Sequence, residues 1–378
     1  MAFSYHNRVR LLCSGAEFFE ALTKGIQEAK REIHFQSYIL KLDPTGQSIL
    51  TALKEAVERG VHVRLLLDAF GSAGFSPEKS IPPFEWRFFG PLFSKGRFHI
   101  GRRLHHKVVV IDKRVAIVGG INISDAYHGT TDQAPWLDFA LWIEGEEAAR
   151  IHKDCAMLWQ GPRGRRLRKN KNDGPNVTEN TAVAVRSVRN DFLRNRNEIT
   201  ATYRTAIRSA VKTIDLVGGY FLPGRRMRRY LKSATKRGVR IRIVAASRSD
   251  VLLARLSREY LYSWLLRNRI EVYEYLPANV HGKVLSVDGS LTSIGSYDLN
   301  NLSTYSNIEM NVNVLDRTVN EGFTEIYEET IRLHCRKVEE TDWKRNTTLP
   351  GKFARWCAYR ITKSLFGISF LIAGQSER

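Results

Sequence analysis

The stretch that decides the fold is His105-His106-Lys107-Val108-Val109-Val110-Ile111-Asp112, because it recurs as His281-Gly282-Lys283-Val284-Leu285-Ser286-Val287-Asp288. Both copies follow the pattern H-x-K-x4-D, and they stand 176 residues apart. A glycine turn follows each copy at the same distance, Gly119-Gly120 after the first and Gly295-Ser296 after the second. One H-x-K arises by chance in many proteins, but two full copies in register indicate a duplicated unit. The sequence therefore predicts one active site, assembled from two halves, in which paired histidines and lysines face a phosphate.

The duplication extends beyond the two motifs. The segment LKEAVERGVHVRLLLD at 53–68 corresponds to LKSATKRGVRIRIVAA at 231–246, at an offset of 178 residues. Ile26, Ala29 and Ile33 correspond to Ile207, Ala210 and Ile214 at an offset of 181. The apolar spacing in each half predicts a helix, a strand, a second helix, a second strand and then the motif strand. These elements are predicted at 16–30, 32–40, 46–59, 61–67 and 107–112, and at 198–212, 213–222, 225–237, 239–245 and 283–288.

Alternating strands and helices predict an α/β protein. We expect two similar halves, each a mainly parallel or mixed sheet flanked by helices, related by a pseudo-twofold axis and sharing one active site. The predicted divisions are a first half at 1–160, a basic linker at 161–180, a second half at 181–345 and a basic, aromatic tail at 346–378.

The composition points to an anionic partner. A formal charge of +20 over 378 residues favours nucleic acid or an anionic lipid surface, and charge alone does not choose between them. The four cysteines show no C-x-x-C spacing, which argues against structural zinc and a disulfide framework and fits a reducing cytosol. The start lacks the apolar region of a signal peptide, and no stretch approaches about 20 apolar residues. We therefore expect a soluble or peripheral protein.

The motif residues suit phosphodiester chemistry without a metal or cofactor. One neutral histidine attacks phosphorus, and the other, protonated, donates to the leaving oxygen and then activates the incoming hydroxyl. Lys107 and Lys283 supply positive charge to the phosphate oxygens, and Asn122 adds a neutral donor. A zinc site at His105, His106 and His281 lacks suitable spacing and carboxylate company. Four other histidines, His106, His128, His152 and His334, are predicted to be ordinary surface or turn residues.

A catalytic histidine is oriented by a hydrogen-bond acceptor that receives the N–H of its other ring nitrogen, the one that does not face the substrate. Asp138, 33 residues after His105, and Glu309, 28 residues after His281, are candidates, each on a following strand. Asp112 and Asp288 belong to the catalytic signature. Because they fall at strand ends, too far along to touch the phosphate, we interpret them as structural anchors.

Three segments lie outside this scheme. The basic segment Gly161–Asn180 is predicted to be a solvated linker with a contributory role as a phosphate-attracting rim. The segment Gly90–Leu104, which is basic and aromatic, is either a substrate lip beside His105 or an ordinary insertion. The segment Lys352–Ala373 is predicted to be a helix that either lies at a membrane interface or packs on the core.

With these segments the chain resembles the phospholipase D superfamily, and more closely the bacterial cardiolipin synthases that lack N-terminal transmembrane helices. The resemblance runs from Asn7 to the region of Trp343. Besides the two motifs, it rests on GGINIS at 119–124, WLDFA at 136–140, YFLPG at 220–224, GSYDLN at 295–300, LS at 302–303 and NIE at 307–309.

The resemblance implies transfer of a phosphatidyl group between phospholipids through a phosphohistidine, with His105 as the attacking residue. It also implies a peripheral protein at the cytoplasmic face of the bacterial cell membrane, acting on phosphatidylglycerol and, as a second candidate, phosphatidylethanolamine. One position departs from the family pattern, because Asp298 stands where asparagine is usual. A carboxylate there repels phosphate unless it is protonated or paired with lysine, so either Asn300 takes over the role or the second half binds phosphate less tightly.

Two other functions remain open. A nuclease of the same superfamily would use the same motifs on nucleic acid, which the charge of +20 would suit. A basic binding protein with a degenerate site is the third alternative, and the intact motif in both halves argues against it.

Overall fold

The computed structural model describes residues 2–75, 84–91, 93–94, 97–98, 102–161, 183–191, 194–249, 251–300, 303–304, 306–345 and 348–375. The linker predicted at 161–180 therefore lies almost wholly outside the described residues, as does part of the basic, aromatic segment at 90–104. The helices are α1 (Ala16–Glu28), α2 (Pro44–Glu58), α3 (Asp125–His128), α4 (Glu146–Gln160), α5 (Glu198–Ser209), α6 (Arg225–Lys236), α7 (Leu252–Arg267), α8 (Arg317–His334), α9 (Glu340–Arg345) and α10 (Leu349–Gln375).

The strands of the first half and its insertion are β1 (Asn7–Cys13), β2 (Glu32–Ser37), β3 (His62–Asp68), β4 (Glu85–Phe89), β5 (Phe93–Ser94), β6 (Arg97–Phe98), β7 (Arg103–Leu104), β8 (Lys107–Ile111), β9 (Val115–Gly119) and β10 (Phe139–Gly145). Those of the second half are β11 (Ala184–Asp191), β12 (Arg196–Asn197), β13 (Thr213–Gly218), β14 (Arg240–Ala246), β15 (Ile270–Tyr275), β16 (Lys283–Val287), β17 (Leu291–Gly295), β18 (Asn307–Leu315) and β19 (Cys335–Lys337).

Each half is built on one mixed sheet. The first has the order β1-β10-β9-β8-β2-β3-β4, and the second has the order β12-β11-β18-β17-β16-β13-β14-β15-β19. In the first sheet β3 pairs parallel with β2 and with β4, and in the second sheet β14 pairs parallel with β13 and with β15. Both motif strands, β8 and β16, pair antiparallel with their neighbours. The two sheets are therefore mixed rather than mainly parallel, because each motif strand returns through a hairpin.

Every residue of the two motif strands is buried, because both faces of each strand are covered. Val109 and Ile111 pack in the core of the first half, beneath α1 and α2. Val108 and Val110 point the other way and share a second core with Val284. That core also contains residues of α4 and α8, so the two sheets pack face to face with a helix from each half. This packing brings the starts of β8 and β16 together.

The predicted elements are present in both halves, with shorter strands than expected. β2 ends at Ser37 and β13 at Gly218, so Tyr38 and Tyr220 stand in the loops that follow. Gly60 and Gly238 end α2 and α6 with φ of 87° and 89°, a left-handed conformation that favours glycine. The two halves therefore share the same backbone conformation at the turn before the second strand.

Candidate active site

Each motif histidine is held in place by backbone of the opposite half. The N–H groups of His105 and His106 both donate to the carbonyl of Ile308, and β7 pairs with the start of β18. The second motif repeats the arrangement, since the N–H groups of His281 and Gly282 donate to the carbonyl of Leu137. Both interactions are made by backbone groups, so they fix the position of the histidines independently of the side chains around them.

The same exchange pairs each histidine with a carboxylate from the other half. Nδ1 of His105 lies 3.0 Å from both carboxylate oxygens of Glu309, the residue after Ile308. Nδ1 of His281 lies 2.7 Å from Oδ2 of Asp138, the residue after Leu137. In sequence, Asp138 follows His105 and Glu309 follows His281, but the structure pairs them crosswise. Pairing each histidine with the carboxylate that follows it in its own half was wrong. The backbone hydrogen bonds to Ile308 and Leu137 place each histidine beside the carboxylate of the other half.

The two pairs differ in their electrostatics. Burial, followed by the charges of Lys283 and Lys107, keeps the pKa of His281 well below its usual value. Burial also raises the pKa of Asp138 to about 7. For Glu309, burial is outweighed by His105 and by hydrogen bonds, so its pKa is lowered. The first pair therefore keeps a charged carboxylate, whereas the second favours a neutral imidazole.

Both motif lysines are buried and lie against their own histidine. Nζ of Lys107 donates to the carbonyl of His105 at 2.6 Å, and Nζ of Lys283 donates to the carbonyl of His281 at 2.5 Å. Burial and then the charge of Lys283 lower the pKa of Lys107 to about 7. A buried lysine whose charge is disfavoured by a second lysine nearby favours the binding of an anion beside it.

Asp298 breaks the symmetry of the site. It stands at the position equivalent to Asn122, three residues after the first glycine of the turn. Its side chain is buried, Oδ1 lies 3.6 Å from Nζ of Lys283, and that oxygen has no hydrogen-bond partner among the described residues. Burial raises the pKa of Asp298, and the charge of Lys283 offsets part of this effect.

The side chains of the two asparagines predicted to bind phosphate, Asn122 and Asn300, make hydrogen bonds within the protein. The side-chain oxygen of Asn122 accepts from the N–H of Ile39, and its amide donates to the hydroxyl of Tyr127 at 2.8 Å. Asn300 accepts from the N–H of Ser303 and donates to the carbonyl of Tyr220. Their roles toward phosphate therefore remain predictions.

Asp112 and Asp288 do not reach the site, although the signature places them with the catalytic residues. The carboxylate of Asp112 accepts from the N–H groups of Lys30, Arg31 and Glu32 at 2.8–2.9 Å. Asp288 makes the equivalent three bonds to the N–H groups of residues 211–213 at 2.7–2.9 Å. Both lie at the far ends of their strands, with φ of 52° and 54°. These contacts tie the α1–β2 and α5–β13 connections, as expected of structural anchors.

Aromatic rings surround the histidines, and most of them escaped the sequence reasoning. Tyr38 lies 4.9 Å from the ring of His105 and 5.1 Å from Nζ of Lys107. Tyr127, Trp136 and Tyr220 lie 5.2, 6.2 and 6.4 Å from the ring of His281. At the repeat offset of 181, Tyr220 lies one residue after the position equivalent to Tyr38, so the duplication carried an approximate signal for the pair.

The glycine turn after the first motif leaves room for the carboxylate. A Cβ on Gly120 would lie 2.3 Å from Oδ1 of Asp138, so no side chain fits there. The second half has Ser296 at this position, and its hydroxyl donates to Oε2 of Glu309 at 2.5 Å. The two turns therefore position their carboxylates differently. Gly120 leaves space for Asp138, whereas Ser296 donates a hydrogen bond to Glu309.

The basic, aromatic segment is described only in part. The Arg102 guanidinium pairs with Asp191 of the second half, and Arg103 donates to the carbonyl of Gly90. Its role as a substrate lip remains a prediction.

A separate cluster contains three potential metal ligands, Glu32, His34 and His152, whose ligand atoms lie within 4.8 Å of one another. Oε atoms of Glu32 also lie 3.4 Å from Arg64 and 3.5 Å from Lys113, so its charge is already matched. Hydrogen bonds from His152 and His34 lower the pKa of Glu32. We interpret the cluster as a buried polar network at the start of β2.

Comparison with known proteins identifies the family of this chain. The family described as "Cardiolipin synthase, PLD-like domain" matches residues 22–159 and 203–331, one match in each half. The chain therefore belongs to this phospholipase D-like family. It is 29% identical to cardiolipin synthase B of Salmonella typhimurium over 97% of this chain and 88% of the relative, with the same values for the Escherichia coli K12 protein. It is 30% identical to the cardiolipin synthase of a Geobacillus strain over 82% of this chain and 63% of the relative.

Among solved structures, the phosphatidylserine synthase of Haemophilus influenzae superposes with a TM-score of 0.73 at 15% identity. The alignment covers 96% of this chain and 95% of that one. This likeness confirms the expected fold of two phospholipase D-like halves.

Proposed function

We propose that this protein is a phosphatidyltransferase that makes cardiolipin from two phospholipids, with phosphatidylglycerol as donor and acceptor. The observation that carries the proposal is the crossed pairing of His105 with Glu309 and His281 with Asp138. It supplies two oriented histidines at one place, beside two buried lysines. Relatives named cardiolipin synthase that match 97% of the chain support the choice of lipid.

The reaction proceeds in two displacements. Nε2 of one histidine attacks phosphorus, the bond from phosphorus to the headgroup oxygen breaks, and the second histidine donates its proton to the departing glycerol. The second histidine, now neutral, then takes the proton of a hydroxyl on the second phosphatidylglycerol. That oxygen attacks phosphorus, the P–N bond breaks, and cardiolipin leaves. One glycerol is released for each cardiolipin formed.

Two criteria for the attacking histidine disagree. The resemblance assigns the attack to His105, whereas the buried environment holds His281 neutral, which is the form that attacks. Rapid quenching with phosphatidylglycerol, followed by peptide mapping of the phosphorylated histidine, decides between them.

The aromatic walls favour transfer over hydrolysis. Tyr127, Trp136 and Tyr220 surround His281, which is itself buried. Excluding water protects the phosphohistidine until a lipid hydroxyl arrives. The same walls offer an apolar approach to the glycerol backbone of a lipid.

We propose that the protein works at the membrane surface, at the cytoplasmic face. Within the described part of the chain, no helix is long and apolar enough to cross a membrane. α10 packs on α7, since Arg355 contacts Glu259 at 2.8 Å and the Tyr359 ring stacks on Tyr260. Five apolar side chains of α10 are exposed, namely Leu349, Phe353, Trp356, Ile361 and Leu365. We infer that the helix packs on α7 through one side and offers these exposed side chains to lipid.

The test is incubation with phosphatidylglycerol vesicles, and separately with added phosphatidylethanolamine, followed by lipid mass spectrometry. We expect cardiolipin in the first mixture, and more of it in the second only if phosphatidylethanolamine is also used. A parallel sample contains single- and double-stranded DNA, because the charge of +20 favours a nuclease as the second candidate. DNA cleavage without any transphosphatidylation product would replace the proposal with that alternative.

A further inference from the structure

A cavity of about 400 Å³ lies beside the loop that carries Asp298, and its described lining residues include neither the motif histidines nor the motif lysines. Its walls come from α5, residues 222–224 with the start of α6, the residues Tyr297, Leu299, Asn300 and Thr304, and α10. The volume is in the range of small-molecule sites. Leu222, Met227, Tyr297 and Leu299 line it with buried apolar or aromatic surface.

The same cavity is bordered by positive charge. Arg204, Arg225, Arg226 and Lys363 line it from α5, α6 and α10, and all four are exposed to solvent. None of the described residues that line it is acidic. Four cations around one opening, with no lining carboxylate to balance them, make the opening attractive to an anion. The charged part of a ligand is therefore expected at the opening and its apolar part within.

The cavity shares a wall with the active site. Tyr297 and Leu299 line it on either side of Asp298, and the Asn300 side chain, which also lines it, donates to the carbonyl of Tyr220. The Tyr220 ring lies 6.4 Å from that of His281. A ligand in the cavity would therefore press on the loop that positions Asp298 and Tyr220.

The opening also adjoins the exposed apolar surface of α10. Tyr359, Thr362 and Lys363 of that helix line the cavity, and Ile361 and Leu365 beside them are exposed. A ligand arriving from a lipid surface would meet the apolar residues first and the basic opening next.

We propose that this cavity binds a phosphate-bearing amphiphile, an anionic phospholipid, at a second site separate from the motif histidines. The phosphate contacts Arg204, Arg225 and Lys363, and the glycerol and upper acyl carbons contact Leu222, Met227 and Leu299. This inference rests on the chemistry of the cavity and goes beyond the proposed function, because it assigns an anionic phospholipid to a cavity that the motif histidines and lysines do not line.

The test uses the full chain with His281→Ala, which removes turnover and leaves the cavity intact. Dihexanoyl phosphatidylglycerol, below its micelle concentration, is titrated by calorimetry beside dihexanoyl phosphatidylcholine and inorganic phosphate. The cavity variant adds Arg204→Ala, Arg225→Ala and Lys363→Ala. The matched control adds Arg208→Ala, Arg229→Ala and Lys232→Ala, which removes the same charge from exposed positions on α5 and α6 that do not line the cavity.

We expect two equivalents of phosphatidylglycerol to bind the parent and the matched control. In the cavity variant, one of the two should weaken by about 10- to 100-fold, the loss expected for partly exposed charged hydrogen bonds. Arg204→Lys with Arg225→Lys should keep the second equivalent, because a point charge suffices for phosphate.

Equal weakening in the cavity variant and the matched control would overturn the proposal, since the binding would then reflect general surface charge. Equal affinity for phosphatidylcholine, or for inorganic phosphate alone, would also overturn it. Failure to make cardiolipin would not, because the titration is done without turnover.

Discussion

Replacing Glu309 with glutamine tests the contribution of the charged contact between Glu309 of the second half and His105 of the first half. The glutamine keeps the volume and one oxygen that can accept from the Ser296 hydroxyl, but it removes a full charge 3.0 Å from Nδ1 of His105. Two unit charges at that distance interact by about 5.5 kcal/mol at an effective dielectric constant of about 20, which is an upper bound. A hydrogen bond to a charged group contributes about 1.5–3 kcal/mol, which is the lower bound.

At about 1.36 kcal/mol per factor of ten, these bounds predict a fall in kcat between about 10-fold and 10⁴-fold. We expect the midrange, about 10²- to 10³-fold, with a smaller change in KM because the charge acts on the proton transfer. The assay is the initial rate of cardiolipin formation in mixed micelles of phosphatidylglycerol, measured by mass spectrometry.

The control is Glu321→Gln, which removes an exposed carboxylate of α8 that pairs only with Arg317 among the described residues. It should leave the rate unchanged. Asp138→Asn is the matched change in the other pair and should reduce kcat through His281. If Glu309→Gln kept more than a third of the wild-type kcat in a protein with an unchanged melting temperature, the crossed pairing would have no part in catalysis.

Three further predictions follow from other parts of the site. Asp298→Asn removes a buried carboxylate beside the phosphate position, so we expect KM for phosphatidylglycerol to fall by roughly tenfold; a rise in KM would show that the carboxylate assists binding. Lys107, whose pKa is lowered to about 7, is charged below that pH and neutral above it, so KM should rise with pH above about 7. Lys107→Arg should keep its charge and flatten that rise, and an unchanged profile would contradict the assignment. Asp112→Ala removes three hydrogen bonds and places alanine at φ 52°, so the free energy of unfolding in urea should fall by about 3 kcal/mol while kcat of the folded protein is kept; a loss of kcat without a loss of stability would return Asp112 to the catalytic set.

The duplicated sequence predicted the architecture because each half had to build the same elements from its own residues. Apolar runs such as Val108–Ile111 indicated strands covered on both faces, and Gly60 and Gly238 marked the ends of the helices before the second strands. What the pattern did not reveal was the direction of the motif strands. Apolar runs carry no mark of parallel or antiparallel pairing, so the sequence left mainly parallel and mixed sheets open, and the structure shows mixed ones.

The site residues could be named from the sequence, but their partners could not. Asp138 and Glu309 were chosen as acceptors by type and spacing, and the exchange between halves depends on backbone pairing of Leu137 and Ile308, which no spacing rule encodes. The grouping of the cavity cations could not be predicted either, since Arg204, Arg225 and Lys363 lie on three separate helices that only the fold brings to one cavity.

The most direct test of the central claim, one transfer site assembled from both halves, is cardiolipin formation by the wild type, His105→Ala and His281→Ala in one series. Phosphatidylglycerol vesicles are the only lipid, and cardiolipin and released glycerol are quantified together. We predict equal amounts of the two products from the wild type and a loss of about 10³-fold or more from each variant, as when one member of a catalytic unit is removed. Near-normal cardiolipin from either variant would contradict a single shared site.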